Sequence, residues 1–225
     1  MQGVQARNPW LRLVLWCALV YLWVALGLFV FKNALLTMVV YHLALCGGGW
    51  MLLRSERAPS FNPKRWELWV FAAAGGCFLT WAAMELVVPV LPASVLPDVT
   101  TAPLAALGVN AKTYIPIAIY FGLANPLAEE ALWRGRALPL LAGDTSGAAI
   151  PNVVQAVLYA GFHVMPIALM FSDLWLASLV VFFAGIVFGY IALATRGLMI
   201  PWALHAGANA YLLIWFGRFV VTGHL

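Results

Sequence analysis

Residues 174–194 read LWLASLVVFFAGIVFGYIALA, 21 positions without one charged side chain. A helix rises about 1.5 Å per residue and needs roughly 20 apolar residues to cross the hydrocarbon core of a bilayer, so this segment is long enough to span one. Runs of the same kind recur along the chain. We place seven spans, at approximately 11–31, 34–53, 67–91, 113–141, 151–171, 173–194 and 198–217. The stretch 92–112 reads as a loop, and a re-entrant piece there would raise the count to eight.

Composition agrees with this reading. Of 225 residues, 64% are hydrophobic and 9% charged, with a mean hydropathy of +0.94. Soluble domains run at roughly 45–50% apolar and 25% charged. A water-soluble domain is excluded, and the long apolar runs also exclude a disordered chain, a coiled coil, a secreted disulfide scaffold and a nucleic-acid module. The expected fold is an all-α polytopic transmembrane helical bundle. It reads as a single integral membrane domain over residues 1–225, because no internal repeat is visible and the 54–65 loop is too short to link two domains. Cys17, Cys46 and Cys77 lie singly in apolar runs and read as packing residues. Gly185 and Gly189 form a GxxxG pair suited to close helix contact.

The formal net charge of +4 reports topology rather than an acidic partner. With a cytoplasmic N-terminus, that side carries Arg7, Arg12, Arg54, Arg57, Lys64, Arg65, Arg136 and Arg196, against only Lys32, Lys112 and Arg218 opposite. Retention of basic residues on the cytoplasmic side therefore favours N-in. The first span is longer than a signal-peptide core and reads as a membrane helix.

Charged groups inside the bilayer are costly, about 2.5–3.5 kcal/mol each even on a lenient insertion scale, so a span that keeps several needs a reason. The fourth keeps three, in Ala128-Glu129-Glu130-Ala131-Leu132-Trp133-Arg134. Glu130 and Arg134 stand one turn apart and are expected to pair, while Glu129 points about 100° away. Two neighbouring acids in unlike surroundings acquire different proton affinities and different tasks. The fifth span carries Tyr159 and His163, and the seventh His205 and Asn209, each pair at i and i+4 on one face. A lone histidine on an apolar helix is usually a hydrogen-bonded core residue. Here depth argues otherwise. Glu129 lies 12 residues before Leu141 and His163 12 residues after Pro151, so both sit roughly 18 Å from the same end, with Asn209 at a similar level. Polar groups from three helices are therefore expected to meet in one pocket.

Glu129-Glu130-x-x-x-Arg134, Tyr159-x-x-x-His163 and His205-x-x-x-Asn209, in that order on successive helices, resemble the three signature motifs of the CPBP family, which contains the type II CAAX prenyl endopeptidases and bacterial relatives. The resemblance covers 125–211 and departs only at Tyr159, where Phe is common. It implies a glutamic-type intramembrane protease whose core over 113–217 carries the catalytic motifs. Peptide hydrolysis needs a base for water and donors for the developing oxyanion. Glu129 and His163 would hold and activate the water, His205 and Asn209 would bind the oxyanion, and Glu130, Arg134 and Tyr159 would support them. Asn125-Pro126 interrupts the helix ladder just before Glu129, and Trp133 and Phe162 are candidates to line the cavity.

No metal or cofactor is expected in this mechanism. A metal-dependent protease using Glu129, His163 and His205 is the nearest rival, though no HExxH is present. A catalytically silent scaffold or immunity-type protein of the same family is the alternative from another class. A proton-coupled transporter would show paired repeats or a continuous polar path, and neither is visible. The expected partners are the lipid bilayer and a membrane-anchored protein or peptide substrate, with no nucleic acid. A chain this small and Trp-rich resembles bacterial members, for which the location would be the cell inner membrane, multi-pass. Glu85 is left as a further intramembrane acid without an evident partner, His42 as a core histidine, and Asp173 as an N-cap of the sixth span.

Overall fold

The computed structural model of the chain describes residues 9–53, 59, 61, 65–90, 101–143, 148–170 and 174–222. Among these residues the chain forms eight helices and no strand. α1 runs over Pro9–Ala25 and continues through Leu26–Val30; α2 covers Ala34–Leu52; α3 covers Trp66–Val90; α4 is the short Thr101–Ala106. α5 begins as Tyr114–Glu129, passes through the wider turns of Glu130–Ala137 and ends as Leu138–Ala142. α6 is Ala149–Met170, α7 Leu174–Thr195 and α8 Met199–Thr222.

Seven of these match the expected spans closely. Helices over Trp10–Val30, Ala34–Leu52, Trp66–Val90, Ala149–Leu169 and Trp175–Thr195 are long and apolar enough to cross a membrane. The two expected spans outside that set are α5 and α8, whose ionisable and amide side chains dilute their apolar content. α8 also runs five residues past its expected end at Gly217, because Arg218 is not left bare: its Nη1 donates to Glu85 Oε1 of α3 at 2.6 Å. Within 92–112, the described part is α4 and the turn after it, and the rest of that loop lies outside the described residues. So do Arg7, Arg54, Arg57, Lys64 and the expected cap Asp173.

Local chemistry explains several of these elements. Asn33 caps α2, its side-chain oxygen accepting from the Leu36 amide at 2.9 Å. α5 does not wind regularly past Asn125-Pro126, where an interruption of the ladder was expected. Pro126 offers no N–H to the ladder, and beyond it the backbone widens, the Leu138 amide reaching Trp133 O five residues back.

α5 is the centre of the bundle and touches α2, α6, α7 and α8. α3 lies along α8, and α6 along α7. The α6–α7 seam is made by Gly185 and Gly189, the expected GxxxG, and a Cβ on Gly189 would fall 1.8 Å from Asn152 Oδ1. The α3–α8 seam is backbone against backbone, since a Cβ on Gly207 would fall 1.9 Å from Ala73 O and one on Gly76 2.0 Å from Leu204 O. Such backbone contact is how helices associate where lipid gives no hydrophobic drive. The polarity is inverted relative to a soluble protein: Phe71 is 74% and Trp175 82% exposed, while Glu130 and Arg134 are fully buried. Apolar side chains outward and charges inward is the arrangement that a bilayer demands.

The seam gives a test. Gly207→Val should lower stability by about 2 kcal/mol through overpacking against the α3 backbone. Gly75→Ala, where the nearest atom is 3.9 Å away, should leave stability unchanged or slightly raised. Thermal unfolding in detergent compares the two.

Candidate active site

Three helices build the site around α5. Arg134 and Glu130 pair along α5, Nη1 to Oε1 at 2.9 Å, with no exposed surface on either. The guanidinium also donates to Gly185 O of α7 at 3.4 Å and lies over the Tyr159 ring of α6, 4.2 Å from its centroid. One buried cation thus ties α5, α6 and α7 together. On its other side Glu130 Oε1 accepts from His205 Nδ1 of α8 at 3.0 Å, so the fourth core helix joins the same carboxylate.

Glu129 faces the other way, into a space between α6 and α8. Its Oε2 accepts from the Tyr159 hydroxyl at 3.1 Å and has His205 Nε2 at 3.9 Å; its Oε1 has His163 Nε2 at 3.9 Å. Hydrogen-bond partners set the histidine protons. His163 Nδ1 is 2.8 Å from the Tyr159 carbonyl oxygen, which only accepts, so that nitrogen carries the hydrogen. His205 Nδ1 donates to a carboxylate by the same logic. With Nδ1 so committed, each imidazole turns its Nε2 toward Glu129. A gap of 3.9 Å exceeds a direct hydrogen bond and suits groups bridged by a third atom. His163 is held in place by the rings of Phe162 and Tyr159, centroids 4.0 and 4.5 Å away.

The expected residues are thus largely in one place. Glu129, Glu130, Arg134, Tyr159, His163 and His205 form a continuous cluster. Asn209, one turn beyond His205 on α8, is buried, and its Nδ2 has no protein partner among the described residues. Trp133 stacks on Phe162, centroids 5.7 Å apart, and donates from Nε1 to the Tyr41 hydroxyl at 3.2 Å. Both rings are buried against the cluster as wall. His42 of α2 has two partners, Nδ1 to Tyr120 and Nε2 to Asn125 at 2.8 Å, and so bridges α2 to the turn before Glu129. Glu85 sits outside the cluster, bound by Arg218 and by the Tyr211 hydroxyl at 2.5 Å.

Residues 111–211 match the family model described as Type II CAAX prenyl endopeptidase Rce1-like. Over those residues the chain is similar to that family. No curated protein and no solved structure matches the chain. The matched residues include every member of the cluster, from Glu129 to His205, and Asn209 beyond it, and the family is one of proteases. Together with the apolar helices it makes the chain an integral membrane protein.

Whether these residues suit a metal depends on their convergence. Among the described residues, no three His, Cys, Asp or Glu side chains come together as a metal-holding group. The two imidazoles face different oxygens of Glu129 and so straddle the carboxylate.

The motifs did not point to the α2 contribution, Tyr41 and His42, nor to the amides Asn152 and Gln155, which have no exposed surface. The signal for the amides was available, since 152, 155, 159 and 163 fall on one face of α6.

Because Arg134 neutralises a carboxylate with no exposed surface, Arg134→Met should cost about 3–5 kcal/mol by leaving Glu130 uncompensated. Adding Glu130→Leu should recover part of that loss. Thermal melts of the single and double variants decide it.

Proposed function

We propose that the chain is an intramembrane endopeptidase of the glutamic type that hydrolyses a peptide bond in a membrane-anchored protein or peptide. The observation that carries this reading is the position of Glu129 between two imidazoles, each with Nδ1 anchored and Nε2 turned toward the carboxylate at 3.9 Å. A water between Glu129 Oε1 and His163 Nε2 donates to both, and its free lone pair attacks the scissile carbonyl carbon. Glu129 takes the proton of that water as the C–O bond forms, then delivers it to the amide nitrogen as the C–N bond breaks. No covalent enzyme intermediate arises.

Asn209 Nδ2 is the natural donor to the tetrahedral oxygen, being buried and uncommitted. His205 assists only when it carries a second proton, since in the neutral form its one hydrogen is committed to Glu130. The Glu130 carboxylate balances that imidazolium, and Arg134 holds Glu130 in place. Tyr159 fixes the carboxylate rotamer of Glu129 through Oε2, leaving Oε1 for water. A cytoplasmic N-terminus puts the α5–α6 loop on the cytoplasmic side and the site about 18 Å from it.

Cleavage is tested in proteoliposomes carrying membrane-anchored proteins, with new termini read by mass spectrometry. Glu129→Gln and His163→Ala should abolish the new termini while the variants keep wild-type melting behaviour. Asn209→Ala should lower the rate by about 10²–10³, the usual effect of losing one oxyanion donor. Chelators should leave the rate unchanged. Termini that persist in Glu129→Gln would sink the glutamic mechanism, and chelator loss reversed by zinc would replace it with a metal mechanism. If the wild type generates no termini, a silent scaffold takes its place.

A further inference from the structure

A second set of polar groups lies behind the site, on the side facing the α5–α6 loop. Gln155 of α6 has no exposed surface, and neither its Oε1 nor its Nε2 has a protein partner among the described residues. The same holds for Asn152 Oδ1, Arg134 Nε and Glu130 Oε2. A buried amide without partners costs several kcal/mol in a bilayer protein, and a native chain meets that cost with water.

These atoms are ordered in space. At 100° per residue, 152, 155, 159 and 163 fall within an 80° stripe of α6, rising about 4.5 Å from Asn152 to Gln155 and 6 Å from there to Tyr159. Asn152 is fixed at the α7 end of this stripe, its Nδ2 donating to Ile186 O at 2.9 Å, while the Arg134 guanidinium lies on Gly185 O and over the Tyr159 ring. Gln155 lies between Asn152 and Tyr159 along α6, and Arg134 lies over the Tyr159 ring. Backbone steps of that size leave room for a bridging water between successive polar side chains. Arg134 holds Glu130 through Oε1, which leaves Oε2 open to water, and the Tyr159 hydroxyl beneath the guanidinium donates to Glu129.

We infer that a file of water molecules runs along α6 from Asn152 through Gln155 to Arg134 and Glu129, and that it supplies the site from behind the substrate. Its catalytic use rests on the proposed hydrolysis; its hydration does not. Gln155 is the middle station, the one side chain in the file with both polar atoms uncommitted. Water reaching Glu129 by this route need not cross the space that a peptide would fill, so bound substrate and water supply do not compete.

X-ray radiolysis converts bound water into hydroxyl radicals that oxidise adjacent rings, and mass spectrometry then locates the products. Purified full-length protein without substrate is the sample. Tyr159 and Trp133 are both buried with centroids 6.0 Å apart, but Trp133 has its Nε1 committed to Tyr41 and its ring face stacked on Phe162, so it offers the file no polar atom. Tyr159 should oxidise several-fold faster than Trp133. Gln155→Leu, which removes an unpartnered amide at nearly equal volume and should fold normally, should lower Tyr159 oxidation several-fold and leave Trp133 unchanged. Equal protection of Tyr159 and Trp133 in the wild type, which needs no variant, overturns the inference. Unchanged Tyr159 oxidation in Gln155→Leu overturns it too, since site water alone would then account for the labelling. A chain that cleaves nothing still passes or fails this test, so the two readings fail separately. Where cleavage is observed, Gln155→Leu should lower kcat several-fold with KM unchanged, whereas a packing defect would lower stability and labelling specificity together.

Discussion

A guanidinium with no exposed surface sits in the middle of this membrane protein, and the core is arranged around keeping it satisfied. Arg134 takes charge from Glu130, a carbonyl from Gly185 and a ring face from Tyr159, each from a different helix or a different turn. Removing any one leaves a charge in a medium that cannot solvate it. Because Glu130 is also held by His205, the position of α8 follows from the same ion pair. The backbones then close around it at the glycine seams: α7 against α6 at Gly185 and Gly189, α3 against α8 at Gly76 and Gly207.

The division of labour between the two adjacent acids follows from that arrangement. Glu130 is spent on structure, with one oxygen shared by Arg134 and His205. Glu129 is one residue earlier and lies between two imidazoles and a phenol, none of which neutralises it outright. The wider winding that starts at Glu130 coincides with the point where the two carboxylates part. Adjacent positions on a helix already point about 100° apart, so the pair serves separate tasks without a break in the chain.

Much of this was legible in the residues. Apolar runs placed seven helices, and their ends fell within two or three residues of the observed ones except at Gly217. There the count stopped at Arg218, because a linear reading cannot know that Glu85 waits 133 residues upstream. The motif spacings brought Glu129, His163 and His205 together through depth alone, since hairpin geometry equates distance from a loop with distance through a membrane. Two things were hidden. The winding of α5 depends on how Pro126 and its neighbours settle the ladder, which no periodicity reports. The anchoring of each histidine depends on which nitrogen meets which acceptor, and that exists only once α6 and α8 are docked. Asn152 and Gln155 were visible as amides in an apolar helix, but their lack of partners is a property of packing.

The latch between Glu85 and Arg218 also bears on how the chain assembles. Its halves lie on α3 and α8, separated by 133 residues, so at roughly 5–20 residues per second the acid is made on the order of ten seconds before its cation. During that interval α3 carries an uncompensated carboxylate. Glu130, by contrast, receives Arg134 four residues later and is neutral as a pair before its helix is complete. The core charge pair therefore matures locally, while the peripheral one records the arrival of the last helix.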